Sequence, residues 1–302
     1  MHTIQLILTV ALSACVGSKP ESAEQPPAQP MGAEKYAVKI HRPFTTGQVI
    51  AVDVETHHTS KAAVEGKEHE LGSAGQIDFH LVGDVTIDKV APDGRAAAAT
   101  LKVTTFMNPA DKTVILPADA VVHAKRVDGV LEPVLDGGTL TDHQKWFLQL
   151  AFPLERPGSR LGDELFGTPE PRAVGETWPF NRTYVVEDLR EEGFGASETG
   201  IDGVVKLQEV VPCGKTRCLK LQIEVKAENA ALLAVDGTSN VGAGELLSTI
   251  VLEVPVDETT PIHLEDATTT LTYAATYTEG GQTNQRMIAT SRHRRATYVP
   301  KE

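Results

Sequence analysis

From about residue 35 onward the chain alternates apolar and polar residues, which predicts a mainly β protein. In Gln76–Asp88 the apolar side chains occupy every second position, so one face of the segment is apolar and the other polar. That pattern is typical of a half-buried antiparallel strand, and Gly83 within it indicates a bulge or bend. Near the C-terminus, Leu264–Thr278 and Asn284–Thr297 flank Glu279-Gly280-Gly281-Gln282 as the strands of a hairpin would. We therefore expect curved antiparallel sheet with little helix.

One short central helix is predicted near 141–151. Thr141 is a favourable N-cap and Gln144 follows three residues later, which together form a capping box. Pro153 ends the helical pattern. The apolar stripe of this helix consists of Trp146, Phe147 and Leu150. We expect this stripe to pack the helix against one face or one end of the sheet.

A six-residue pattern occurs twice and suggests an internal duplication. Val90-Ala91-Pro92-Asp93-Gly94-Arg95 and Val210-Val211-Pro212-Cys213-Gly214-Lys215 each follow one alternating strand and precede another. A duplication would divide the folded region into β modules at 35–138 and 172–302, joined by the helix and a Pro/Gly-rich connection at 139–171. The other interpretation is that two hairpins share turn chemistry by chance.

Cys213 and Cys218 are predicted to form a structural disulfide. They flank a four-residue connection between two alternating runs, so on a hairpin they would lie opposite each other at a distance that a disulfide spans. Free thiols are the alternative. A redox centre would more typically have the spacing Cys-x-x-Cys, and two ligands alone make a poor metal site.

The N-terminus predicts export and lipid attachment. The apolar run Ile4–Ala11 is far shorter than the ~20 residues that a membrane-spanning helix needs. It leads into Leu12-Ser13-Ala14-Cys15, which resembles the lipobox of bacterial lipoproteins. The resemblance implies a signal peptide at 1–14, cleavage before Cys15, and fatty acyl chains such as palmitate on that cysteine. A buried N-terminal helix is the alternative.

Residues 15–34 are predicted to form the lipidated cysteine and a disordered tether. Val16 to Glu34 contain four prolines, few apolar groups and no periodicity, so this segment cannot bury enough surface to offset the entropy of ordering. An extended arm packed on the domain is the alternative. The predicted location is the cell envelope, on a bacterial membrane facing the periplasm or the exterior.

The folded region is similar in pattern to half-barrel envelope lipoproteins of bacteria. Val174-Gly175-Glu176-Thr177-Trp178 looks like segments of uncharacterised lipoproteins in which a curved antiparallel sheet wraps around a helix. The resemblance implies a half-barrel whose concave face carries or binds apolar molecules. Fold alone does not determine function.

The net charge of −13 makes nucleic acid a poor partner. A basic run, Arg292-His293-Arg294-Arg295, stands out in this acidic chain. It fits an edge strand whose charges block edge-to-edge aggregation, and contact with an anionic partner is the alternative.

Motifs of the common enzyme classes are absent from the sequence. The chain contains no Gly-x-Ser-x-Gly, no phosphate-binding glycine loop followed by Lys and Ser or Thr, and no His-Glu-x-x-His. A weak metal candidate combines a strand with a neighbouring segment: Asp53, Glu55 and His57 with Glu68, His69 and Glu70. The favoured interpretation is a solvated strand face, so no metal and no cofactor are predicted.

The sequence therefore predicts a lipid-anchored, non-enzymatic protein that binds an apolar ligand or an envelope partner on its sheet. The weak candidates for ligand contact are Trp146, Phe147, Leu150 and Trp178. A structural or interaction lipoprotein with a solid core is the alternative. An enzyme with a site dispersed along the chain is the third hypothesis.

Overall fold

The computed structural model describes residues 34–64, 67–127, 130–152, 160–191, 194–232, 244–279 and 282–301, with the side chains of 63–74, 130, 231–232 and 275–286 left out. The predicted signal peptide, Cys15 and the tether up to residue 33 lie outside this range. The strands are β1 (Lys35–Tyr36), β2 (Val49–Val64), β3 (Lys67–Val90), β4 (Ala96–Met107), β5 (Val114–Leu116), β6 (Val121–Val127), β7 (Val130–Leu135), β8 (Arg172–Ala173), β9 (Thr177–Trp178), β10 (Phe194–Gly195), β11 (Ile201–Cys213), β12 (Thr216–Leu232), β13 (Gly244–Pro255), β14 (Leu264–Glu279) and β15 (Gln282–Pro300). The helices of the described residues are α1 (Asp142–Ala151), α2 (Gly162–Phe166) and α3 (Arg182–Glu191).

One long antiparallel sheet forms the body of the molecule, as the alternating pattern predicted. Its strand order is β7-β6-β4-β3-β2-β15-β14-β13-β12-β11-β9, with β5 added to β4 and β10 to β12. The sheet is open, and its two edges are blunted. Edge strand β9 has only two residues, and edge strand β7 contains Pro133, both of which discourage pairing with another chain.

Two separate hydrophobic cores pack against the sheet. The first core combines β2 to β6 with α1 and includes Phe79, Leu81, Leu101, Phe106, Phe147 and Leu148. The second combines β11 to β14 with α2 and α3 and includes Leu165, Val185, Leu207, Leu221, Leu246 and Leu271. Strand β15 contributes to both, because Ala296 belongs to the first core and Ile288 packs against the second. We call the face that carries these cores the inner face.

Pairing between β2 and β15 joins the two halves of the sheet. These strands pair at Tyr298–Val52, Val299–Ala51 and Pro300–Ile50. Each half is a meander of neighbouring antiparallel strands. The two similar turns both connect hairpin strands, β3 with β4 and β11 with β12. In both hairpins the second strand lies on the same side of the first in the strand order of the sheet. The duplication itself stays a prediction.

Helix α1 confirms the predicted central helix. The Thr141 side chain accepts a hydrogen bond from the backbone N–H of Gln144, and the Gln144 side chain accepts one from the backbone of Thr141, so the capping box is present. Helices α2 and α3 were not predicted. In α3 the apolar stripe is short: Val185 and Val186 are buried, and Leu189 packs against the same core.

The expectation that the basic run lies on an edge strand is wrong. Strand β15 lies between β14 and β2 in the middle of the sheet. The run faces acidic residues of β14 across the hairpin: His293 and Arg295 contact Asp266 at 2.8 and 3.2 Å. Arg294 and Arg295 therefore neutralise neighbouring carboxylates within the sheet.

Gly83 lies at the predicted irregularity of β3. The register with β4 shifts between Val82 and Gly83. A Cβ atom at Gly83 would lie 2.5 Å from the carbonyl oxygen of Lys102, so a larger residue would push the neighbouring strand away. Glycine permits this close approach of two backbones.

The predicted disulfide between Cys213 and Cys218 is confirmed. The two Cα atoms are 5.7 Å apart, and the bond closes the hairpin of β11 and β12. The Cys218 side chain is fully buried. The bond therefore links a buried position of β12 to the end of β11.

Removing the disulfide should lower the free energy of unfolding by about 2 kcal/mol, because the closed loop is short. We would compare the oxidised protein with the Cys213→Ala/Cys218→Ala variant and with chemically reduced wild-type protein by urea unfolding. The reduced wild type controls for the packing lost with two sulfur atoms. Two alkylatable thiols in protein from an oxidising medium would contradict the bond.

Candidate functional site

A segment without regular secondary structure crosses the inner face between the two cores. We call this segment, residues 37–44, the strap. Val38 and Ile40 are buried in the second core, whereas Phe44 packs against the first. The N–H of Ile40 donates to Asp163 Oδ1 at 2.5 Å, and the N–H of Phe44 donates to the Gly94 carbonyl at 2.8 Å. The strap is thus held from both halves of the molecule.

Beneath the strap lies a cavity of about 270 Å³ at the junction of the two halves. We call it the junction cavity. Its walls come from the strap, from the paired ends of β2, β3 and β15, and from the segments around residues 152 and 262. Most of the wall is apolar: Ile40, Phe44, Ile50, Val52, Val85, Ile87, Phe152, Pro261 and Ile262. The lining also includes the polar residues His41, Arg42, Glu265, Arg294 and Tyr298.

Arg294 is a fully matched buried cation. Its Nη1 lies 2.7 Å from Glu265 Oε2, and its Nη2 donates to the Tyr298 hydroxyl at 3.0 Å. Burial disfavours the charged form, but Glu265 and the Tyr298 hydroxyl outweigh this effect and raise the pKa of Arg294. The guanidinium therefore stays charged and holds β15 to β14.

Arg42 differs from Arg294 because no carboxylate of the described residues forms an ion pair with it. The residue is 7% exposed. Its Nη2 donates to the Pro255 carbonyl at 2.6 Å, and its Nη1 makes a 3.4 Å contact with the His41 carbonyl. Among the described residues nothing accepts a hydrogen bond from its buried Nε. Burial lowers the pKa of Arg42 despite the surrounding carboxylates of Glu258, Asp163 and Asp257.

The four predicted ligand-contact residues lie away from the lining of this cavity. Phe147 packs edge-on against Phe79 and Phe106 at ring distances of 5.7 and 6.4 Å. Trp146 and Leu150 pack against the first core. Trp178 is buried in the second core, where its Nε1 donates to the Phe166 carbonyl at 2.8 Å. Phe152, directly after α1, is the aromatic residue from that region that lines the cavity.

The weak metal candidates on β2 form pairwise contacts instead of one cluster. Asp53 contacts His80 at 2.9 Å, and His57 contacts Asp78 at 2.5 Å. Glu55 lies opposite His80 in the strand register. The side chains of Glu68, His69 and Glu70 lie outside the described part of the chain. No group of three or more potential ligands is arranged around a metal position in the side chains that are described.

His58 is a buried histidine that the sequence did not single out as functional. It is 5% exposed, and its Nε2 has no hydrogen-bond partner within the described residues. Burial lowers its pKa to about 4; Arg292 and His57 add to the shift and Asp78 opposes it. In the folded protein His58 is therefore uncharged at neutral pH.

We expect His58 to make folding less stable as the pH falls from 6.5 towards 4. As the pH falls, His58 becomes protonated in the unfolded chain before it does so in the folded protein. Its contribution to the free energy of unfolding is therefore complete above pH 6.5 and is lost below it. The expected loss is about 2 kcal/mol between pH 7.5 and 5. Urea unfolding at both pH values should show a smaller loss in His58→Leu than in wild type. His123→Leu, which removes an exposed histidine, is the matched control. An equal loss in wild type and His58→Leu would contradict this assignment.

The sequence missed Arg42 and the strap, and it noticed Arg294 for a different reason. The predicted hairpin around 279–282 already fixes the pairing of β14 with β15, since Glu279 opposite Gln282 places Glu265 opposite Ala296 and Asp266 opposite Arg295. That register would have indicated carboxylates beside the basic run. Nothing local predicts the strap, because its contacts reach Asp163 and Pro255, 123 and 213 residues away.

None of the described helices has the length and apolar character needed to cross a bilayer. No protein-family model matches the chain, and no curated protein matches it significantly.

Proposed function

We propose that this protein is a non-enzymatic, lipid-anchored protein of the bacterial cell envelope that binds a small, mostly apolar ligand in the junction cavity. The observation that carries the proposal is the cavity itself, at the meeting point of two cores. Its volume of about 270 Å³ is close to the lower end of the range for small-molecule sites.

The composition of the wall supports ligand binding. Small-molecule sites are mainly apolar with a few polar groups that orient the ligand, and the junction cavity has this composition. The two guanidinium groups and Glu265 in its wall favour binding over proton transfer. Guanidinium groups do not release protons near neutral pH, and Glu265 is engaged by Arg294.

The position of the cavity supports a link with the membrane anchor. The strap that walls the cavity begins at residue 37, and only β1 (Lys35–Tyr36) separates it from the end of the predicted tether at residue 34. Tyr36 donates a hydrogen bond from its hydroxyl to Glu34 at 2.7 Å, and Arg217 lies 3.6 Å from the same carboxylate. The tether would therefore leave the folded region beside β1, next to the second core.

For the anchor, Cys15→Ala should abolish incorporation of a labelled fatty acid and release the protein from membranes. The acyl chains are the predicted membrane attachment, and two or more chains hold stably where one holds only marginally. The measurement is labelling and membrane fractionation of the full chain in a bacterial host. The Cys213→Ala/Cys218→Ala variant is the matched control and should keep both label and membrane association. Unchanged labelling of Cys15→Ala would refute the anchor.

For the cavity, the neutral fluorophore N-phenyl-1-naphthylamine should bind the full-length Cys15→Ala protein, and Val85→Phe in that background should weaken binding about tenfold, equivalent to ~1.4 kcal/mol. Val85 is buried and lines the cavity, so the larger ring occupies ligand volume. Val134→Phe makes the same change at an exposed site and should leave binding unchanged.

Thermal unfolding of each variant checks that the fold is retained. Equal binding by a folded Val85→Phe variant would move the site elsewhere. Absence of binding by the parent protein would favour the alternative of a structural or interaction lipoprotein with a solid core.

A further inference from the structure

We infer that the ligand of the junction cavity is a single-chain amphiphile with one carboxylate, and that Arg42 binds this carboxylate. The inference rests on the proposed function and specifies its ligand class. It follows from the unequal pairing of the two arginines that line the cavity.

The charges along the cavity wall do not balance. Arg294 is neutralised by Glu265 at 2.7 Å, whereas Arg42 forms no ion pair with any carboxylate of the described residues. A buried charge without a partner is costly, because water no longer solvates it. One anion at Arg42 would balance the lining residues.

Two of the three carboxylates near Arg42 accept hydrogen bonds from other donors. Asp163 accepts the backbone N–H of Ile40. Asp257 accepts the backbone N–H and hydroxyl of Thr259 and the hydroxyl of Thr260. Together with Glu258 these groups favour the charged form of Arg42, yet burial still dominates. The protein thus supplies a negative environment without supplying a hydrogen-bonded partner.

The free donors of Arg42 fit a carboxylate. Nη2 is held by the Pro255 carbonyl at 2.6 Å, the Nη1 contact of 3.4 Å is long, and Nε is unsatisfied. A carboxylate binds a guanidinium through two parallel N–H donors, and in Arg42 the unsatisfied Nε and the second N–H of Nη2 would supply them. An alcohol accepts fewer hydrogen bonds and adds no charge, and an amine would face two guanidinium groups.

The cavity also limits the apolar part of the ligand. A volume of about 270 Å³ is near the lower end of the range for small-molecule sites, so the site suits one short apolar chain. The wall of Ile50, Val52, Val85 and Ile87 suits such a chain.

The test compares decanoate with 1-decanol, which has the same chain and no charge, on the full-length Cys15→Ala protein. Displacement of N-phenyl-1-naphthylamine should show at least tenfold tighter binding of decanoate. In Arg42→Gln this preference, the ratio of the two affinities within the same variant, should fall to less than twofold. Arg295→Gln removes an exposed cation outside the cavity and should keep the wild-type preference.

Equal affinity of the parent protein for decanoate and decanol would overturn the acidic-ligand inference and leave the proposed function standing. Binding of the fluorophore with displacement by neither compound would overturn it as well. Failure of the fluorophore to bind would instead defeat the proposed function. If Arg42→Gln does not fold, the comparison on the parent protein still decides, together with its salt dependence: decanoate binding should weaken with added salt and decanol binding should not.

Discussion

Two halves of one sheet meet where β15 pairs with β2 at Tyr298–Val52, Val299–Ala51 and Pro300–Ile50. On one side of this junction α1 packs on the inner face, and on the other side α2 and α3 do so. The inner face at the junction belongs fully to neither core. The strap crosses there and leaves the cavity beneath it, so the division into two cores determines where the cavity lies.

The polar groups at this junction are constrained by burial. A buried cation requires a partner when water is excluded, and the hairpin register brings Glu265 close enough to neutralise Arg294. The chain has 41 acidic residues, yet none of those described pairs with Arg42. Because carboxylates are abundant in this protein, the open position at Arg42 is a local property of the strap and not a consequence of composition.

Local features of the fold could be predicted from the sequence, and distant contacts could not. The capping box of α1 and the disulfide between Cys213 and Cys218 involve residues within five positions of each other, and the alternation around Gly83 reports its own strand. The strap depends on contacts with Asp163 and Pro255, which lie far along the chain and leave no periodic signal. Helix α3 has an apolar stripe of only three residues, Val185, Val186 and Leu189, which is a weak signal in the sequence. The residues predicted to contact a ligand do not line the cavity, because Phe147 is buried in the first core and Trp178 in the second.

The strap connects three parts of the chain that lie far apart in the sequence: the end of the predicted tether, α2 and β13. Residue 34 ends the predicted tether, Ile40 anchors the strap to α2 through Asp163, and Arg42 reaches β13 through the Pro255 carbonyl. In the proposed function, a ligand group that engages Arg42 would contact the same segment that Asp163 and the Pro255 carbonyl hold in place. By linkage, a ligand that binds only with the strap in this position would stabilise that position by as much as the position favours the ligand. The proposed ligand contact and the end of the predicted tether would then lie within residues 34–42.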